Sequence, residues 1–486
     1  MYHRMSMILI LLDYTARAIA LALISFLVAN RHRNRRNKGG TPVLGSLFLG
    51  FGTGFAFHSR RTTFLEECGK RYGSYFKFAC GPRNIHIVSS SSAFKTFYFD
   101  SRLDHKEPHF LVLRALGSSG NIDLLSTPVH EHFIPYFGRA LSRRGIAQEI
   151  THPLYIELRQ RFREIQPQPH HKLSDLIGKT LYYTCTAIIF GPSFPLDTYD
   201  DFIAMDLAMP MLISPLAFMA FSGARARGRL LKVMMNYVQE NGDFAGEKVA
   251  IVSSALRSAH VLPLREQGAC LLSLLWSIHS NLLRSIWWML AYFAVDTETR
   301  HRLKAEILAT VPENCETDLE SLLVLDPDSM FRQFPLLDSA ITETIRLCSL
   351  PGSMRVAVGD IEIPLDDGGT FSAFQGEMVM TDTRAHHMRD DLYPDAKTFR
   401  ADRFLPRKDG TLDVPKIMSW GGGAHVCKGK AFAHHVMKVW AVAFLQTYDF
   451  TTADILPDLD PRSGNVIADP SKDINIKLEP RYQTSD

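Results

Sequence analysis

The apolar residues of this chain change rhythm along its length. Tyr75-Phe76-Lys77-Phe78 and Ile85-His86-Ile87-Val88-Ser89 are short runs of strand-forming residues, and Gly81-Pro82-Arg83-Asn84 between them predicts a hairpin. From about residue 130 to 350 the spacing becomes helical, with helices expected over Lys172 to Phe190, Arg225 to Tyr237, Leu264 to Val295, Thr297 to Leu308 and Met330 to Cys348. Strand signals return at Phe371-Ser372-Ala373-Phe374, Glu377-Met378-Val379-Met380 and Ile474-Asn475-Ile476-Lys477-Leu478. The fold class is therefore mainly α with a small β portion. No repeat, low-complexity segment or long linker interrupts residues 46–486, which read as one domain.

Two apolar runs are long enough to raise the question of a membrane. Met5 to Ala29 is broken only by Asp13 and Arg17, four apart on one helical side, and is followed by Arg31, His32, Arg33, Arg35, Arg36 and Lys38. The cations follow the apolar run, which fits an anchor with a cytosolic flank rather than a cleaved signal. Residues 1–30 are thus expected to form a membrane anchor, and the basic, Gly/Pro-containing residues 31–45 a hinge. The second run, Leu271 to Val295, carries His279, Asn281 and Arg284 in its middle; polar groups there are costly in lipid, so a central core helix is expected instead.

The composition excludes other classes. A chain of 486 residues, 46% of them hydrophobic, buries a large core and is neither disordered nor fibrous. A net charge of +3 is too small to imply a nucleic-acid partner. Seven cysteines without CxxC spacing argue for a reducing compartment, and Cys68, Cys80, Cys185, Cys270, Cys315 and Cys348 read as inert small hydrophobes.

Cys427 is different. It stands in Ser419-Trp420-Gly421-Gly422-Gly423-Ala424-His425-Val426-Cys427-Lys428-Gly429-Lys430, where glycines let backbone approach a flat cofactor and the next helix start offers N–H groups to a sulfur anion. This loop resembles the haem-binding loop of the cytochrome P450 family, with Trp420, Gly423, His425, Cys427 and Gly429 at the family's positions. Trp420 stands where the family usually has Phe, and His425 where it has Arg, which weakens a cationic contact to a haem propionate. Glu343-Thr344-Ile345-Arg346, then Tyr393-Pro394-Asp395 and Phe399-Arg400-Ala401-Asp402-Arg403-Phe404, precede the loop in the family's order.

The resemblance implies a haem whose iron takes the Cys427 thiolate, with Trp420, Gly421, His425, Gly429 and Arg355 around the cofactor and Glu343, Arg346 and Arg403 as a buried bracing network. The family's Trp-x-x-x-Arg propionate contact is absent, since no tryptophan precedes Trp276; His130, His132 or Arg139 are the substitutes to consider. Where family hydroxylases carry an acid-threonine pair to relay protons, this chain has Ser280-Asn281, so the catalytic positions fall on Ser280 and Asn281, or on His279 if it faces the iron. Such asparagine-bearing helices are similar to those of the branch holding sterol hydroxylases and prostacyclin synthase, and the sequence style is similar to fungal biosynthetic members.

The resemblance further implies an oxidoreductase, a haem monooxygenase taking electrons from NADPH-cytochrome P450 reductase and oxidising a sterol, terpenoid or related polycyclic lipid in secondary metabolism. Met-rich Ala204 to Phe221 suits a substrate roof. The expected location is the endoplasmic reticulum, anchored once and facing the cytosol. A haem-thiolate isomerase or dehydratase needing no reductase, and a non-catalytic haem-containing binding protein, are the alternatives.

Overall fold

Hydrogen bonding in the small β portion centres on the hairpin. The computed structural model describes residues 43–44, 51–80, 83–141, 150–166, 168–191, 194–214, 217–241, 260–310 and 334–481. Strands β1 (Val43–Leu44), β2 (Tyr75–Cys80), β3 (Arg83–Val88) and β4 (Leu103–Asp104) share a sheet with β6 (Met354–Ala357) and β9 (Met378–Thr381), in the order β1-β2-β3-β9-β6-β4. β2 and β3 pair antiparallel with Tyr75 opposite Val88 and Cys80 opposite Arg83, while β3 runs parallel to β9. β5 (His171–Lys172), β10 (Tyr448–Thr451) and β11 (Asn475–Pro480) make a second sheet, and β7 (Ile361–Pro364) with β8 (Thr370–Ala373) a third.

The helices that build the site are α1 (Arg61–Tyr72), α2 (Lys106–Ala115), α3 (Leu173–Phe190), α4 (Tyr199–Ile213), α5 (Phe221–Glu240), α6 (Leu264–Val295), α7 (Pro335–Cys348) and α8 (Lys430–Thr447). α6 has the limits expected from its apolar run. At 1.5 Å per residue its 32 residues span about 48 Å. It packs against α3, α5, α7 and α8, so it is apolar nearly all round because nearly all of it is core. No helix among the described residues is long and apolar enough to cross a membrane. The expected anchor, residues 1–30, and nearly all of the hinge lie outside the described residues.

Four of the five expected helices differ in their limits: α3 starts one residue late because Lys172 pairs in β5, and the helix from Thr297 runs on to Thr310. α5 extends beyond Arg225 and Tyr237 at both ends. α7 starts at Pro335, a residue whose fixed φ suits the first helical position and whose missing N–H is no loss there; residues 330–333 lie outside the described residues.

Candidate active site

Cys427 is held by the loop before it. Its backbone N–H donates to Trp420 O at 2.8 Å, closing a tight turn, and Gly421 and Gly423 inside that turn have φ of 72° and 60°. A Cβ on Gly423 would meet Tyr98 O at 2.6 Å, so this close approach requires glycine. α8 begins three residues after the cysteine. Cys427 carries open surface, but that surface faces a cavity enclosed by α6, α7 and α8. Burial raises the thiol pKa, while N–H groups of Gly429 and Lys430 and the Lys428 cation oppose it.

The cavity measures about 420 Å³. Phe133, Ile134, Phe137, Leu274, Ile278 and Leu282 give it apolar walls, and Trp420, Gly421, His425, Cys427 and Gly429 line it from the loop side. Across from the cysteine stands α6, with Ser273, Ser277, Asn281 and Ser285 on the lining. No carboxylate lines the cavity among the described residues.

Asn281 is fixed on that lining. Its Oδ1 accepts from the Ile467 N–H at 3.1 Å, which commits the oxygen and leaves the NH2 group to donate. Ser280 and His279 do not share this face, since residues one and two positions away are rotated by about 100° and 200° on a helix. Ser280 is buried beside Arg284, whose Nη1 lies 3.4 Å from its hydroxyl. His279 points at α3: Nδ1 lies 2.9 Å from Leu275 O, and Nε2 3.2 Å from the Thr186 hydroxyl and 3.3 Å from Tyr182 O. Burial takes its pKa down to about 4. The idea that His279 faces the metal is corrected: its ring is sealed between α6 and α3.

Glu343, Arg346 and Arg403 meet in one buried network. Arg346 donates from Nε and Nη2 to both oxygens of Glu343 at 2.7 and 2.8 Å, and Arg403 Nε donates to Glu343 Oε1 at 2.9 Å. All three side chains are buried. Arg346 also donates to His387 O at 2.7 Å, tying α7 to the segment after β9.

A histidine cluster occupies the edge of the cavity where the expected propionate contacts fall. The His105 ring lies 3.7 Å from that of His425, and His109, which lines the cavity, shares a 2.8 Å hydrogen bond with His130. Arg355 is buried nearby, donating to Leu103 O at 3.1 Å with its guanidinium over the Phe97 ring; no salt bridge pairs it among the described residues. Tyr98 Oη and His130 Nδ1 are buried without partners. His132 and Arg139 are exposed instead, Arg139 lying over the Tyr136 ring. A thiol beneath an apolar slot, with a buried cation and unused polar atoms at one edge, fits a flat apolar macrocycle bearing carboxylates.

Sequence reasoning missed His105 and His109, which sit between motifs, and the partners of Arg284. Arg284 donates to Asp206 Oδ2 of α4 at 2.8 Å and to Asp469 Oδ1 at 2.6 Å. An arginine inside an apolar run was the available signal: it requires a buried acid somewhere.

Comparison with known proteins agrees with this geometry. The model of the cytochrome P450 family matches residues 40–478. Cytochrome P450 7A1 of Oryctolagus cuniculus is 22% identical over 479 residues, covering 92% of this chain and 94% of that protein. Prostacyclin synthase of Bos taurus is 26% identical over 312 residues, 59% of this chain and 60% of that protein. Among solved structures, retinoic acid bound cyanobacterial CYP120A1 superposes with a TM-score of 0.73 at 20% identity, covering 87% of this chain and 96% of that one.

Proposed function

From the premise that this chain belongs to the cytochrome P450 family, a haem-thiolate family, we propose that it is a monooxygenase that oxidises a polycyclic lipid of the sterol or terpenoid class. Cys427 is the residue that would hold the iron, with Trp420, Gly421 and Gly429 shaping the slot and Arg355, His425, His105 and His109 meeting the carboxylates. When bound, the haem would supply activation of dioxygen and insertion of one oxygen into a C–H bond, the other leaving as water with two protons from solvent and two electrons from NADPH through a membrane-bound reductase. The observation that carries this reading is that Cys427 and Asn281 line one mainly apolar cavity. A relative named cholesterol 7-alpha-monooxygenase, from Cricetulus griseus and 21% identical over 486 residues, supports the substrate class.

The protein's own contribution is to place and polarise. The apolar walls hold the substrate by burial and exclude bulk water. Asn281 has its carbonyl committed to Ile467, so its NH2 donates to an oxygen lying over the cavity. An amide does not ionise, so any proton moves through water held at this NH2 and not through the side chain.

The same observation favours a second reading. A cavity without carboxylate and with a hydrogen-bond donor at Asn281 suits rearrangement of an already oxygenated lipid without a reductase. Reducing the purified protein under carbon monoxide, then assaying a lipid panel with and without NADPH and reductase, separates the two. Turnover strictly dependent on reductase is expected; reductase-independent turnover gives the second reading, and no thiolate-type Soret band in folded protein sinks both. Cys427→Ala is expected to lose that band.

Residues 1–30 supply a membrane anchor in this proposal, with residues 46–486 as the catalytic domain on the cytosolic face of the endoplasmic reticulum.

A further inference from the structure

Four polar residues of α6, Ser273, Ser277, Asn281 and Ser285, recur at every fourth position on the wall of the cavity. Their hydrogen bonds give them unlike roles. Ser273 Oγ donates to Cys270 O at 2.7 Å, Ser277 Oγ donates to Ser273 O, and Ser285 Oγ donates to Asn281 O at 2.8 Å. Each hydroxyl proton is thus committed to the helix, and what remains toward the cavity is lone pairs. Asn281 is the reverse, since Ile467 occupies its acceptor and leaves a donor. Ser277 is exposed to the cavity, Ser273 partly so, and Ser285 is buried.

From this we infer that the substrate is a lipid alcohol whose hydroxyl donates to Ser277 or Ser273 while the carbon to be oxidised lies beside Asn281. Four helical residues advance about 6 Å, so the hydroxyl stands about 6 to 12 Å from the reacting end, the dimension of a fused-ring skeleton rather than of a small molecule. The neighbouring wall is apolar, with Leu274, Ile278 and Leu282 on the same helix. A hydrocarbon in this slot would strip water from the serine acceptors and give nothing back, whereas an alcohol offsets that desolvation. The enzyme then acts after, not before, the reaction that installs an alcohol on the skeleton. This inference rests on the haem-thiolate reading of the cavity and deepens it, assigning Ser273 and Ser277 as specificity-determining residues.

The test uses the full-length haem-loaded protein and, as probes, the saturated steroid hydrocarbon androstane and its mono-alcohols, with dissociation constants from equilibrium dialysis. At least one alcohol is expected to bind about three- to tenfold tighter than androstane, the range of one net hydrogen bond. In the double variant Ser273→Ala/Ser277→Ala that preference falls to about one, and in Ser277→Thr, which keeps a hydroxyl, it is retained. A wild-type protein with no preference for any alcohol, or a preference unchanged in the double alanine variant, overturns the inference. The reduced carbon monoxide spectrum is read on every sample: its absence in wild type defeats the haem-thiolate reading itself, whereas its presence with no alcohol preference defeats only the lipid-alcohol assignment. An intact spectrum in the variants also shows that they fold.

Discussion

At the scale of single residues, the strongest constraints fall on buried groups that cannot change partner. Glu343 serves two guanidiniums at once, and both arginines are sealed from water. Glu343→Gln leaves those charges uncompensated and is expected to cost about 3 to 5 kcal/mol, visible as a lower Tm with the haem-loaded and apo forms both affected. Asn281→Ala removes the acceptor for Ile467 and the donor to the cavity together. Turnover should drop about tenfold or more while stability falls by only ~1 kcal/mol, and unchanged turnover would remove Asn281 from the chemistry. His279 gives a pH signature. Its folded pKa of about 4 lies below the 6.5 of the open chain, so the unfolded state takes up the proton first. Stability is full above pH 6.5 and is lost as pH falls toward 4, on the order of 3 kcal/mol from this ring alone. In His279→Gln the fall of Tm between pH 7 and pH 5 should be visibly shallower than in wild type.

At the scale of elements, one side chain of α6 reaches both α4 and the C-terminal loop. Arg284 joins Asp206 of α4 to Asp469, one residue past the segment in which Ala468 N donates to Cys348 O at 2.9 Å and Ile467 N holds Asn281. Arg284→Leu leaves Asp206 and Asp469 without their shared cation, each keeping one neutral donor in Trp276 and Ser463, and should cost about 3 to 5 kcal/mol. Asp206→Leu with Arg284→Leu should cost less than the sum of the singles by about 0.5 to 3 kcal/mol; strict additivity in chemical denaturation would refute the coupling. This joint also marks the limit of what the sequence discloses. The limits of α6 and the β2-β3 hairpin are legible because each is written in local periodicity, whereas the Glu343-Arg346-Arg403 network and the role of the cysteine loop follow from the family resemblance, Arg403 lying 60 residues from Glu343. The loop after β10 has neither. Its backbone meets α6 and α7 through pairings more than a hundred residues apart, which no local pattern encodes, and Ser280 and Asn281 looked like one catalytic unit because adjacency in sequence hides the rotation that parts them on a helix.

At the scale of the whole molecule, part of the uncovered apolar surface falls within one short stretch of the sequence. Leu207 within α4, Phe218 and Met219 between α4 and α5, and Phe221 at the start of α5 are 67%, 69%, 55% and 69% exposed. Single exposed apolar side chains are ordinary, but four within fifteen positions of one corner expose an area that water disfavours. Leu207 also edges a second cavity of about 220 Å³ that reaches Arg284. In the proposal that residues 1–30 anchor the chain, this apolar stretch is available to rest on the bilayer, giving an apolar substrate a path that avoids water. Removing residues 1–40 should therefore weaken association with neutral lipid vesicles without abolishing it. Adding Phe218→Ser and Phe221→Ser to the truncated protein should release it to the soluble fraction with an unchanged Tm, because neither ring is packed in the core. The residual association should persist at high salt, since burial and not charge drives it. Truncated protein that ignores vesicles altogether would restrict membrane contact to the anchor and leave the corner to a protein partner.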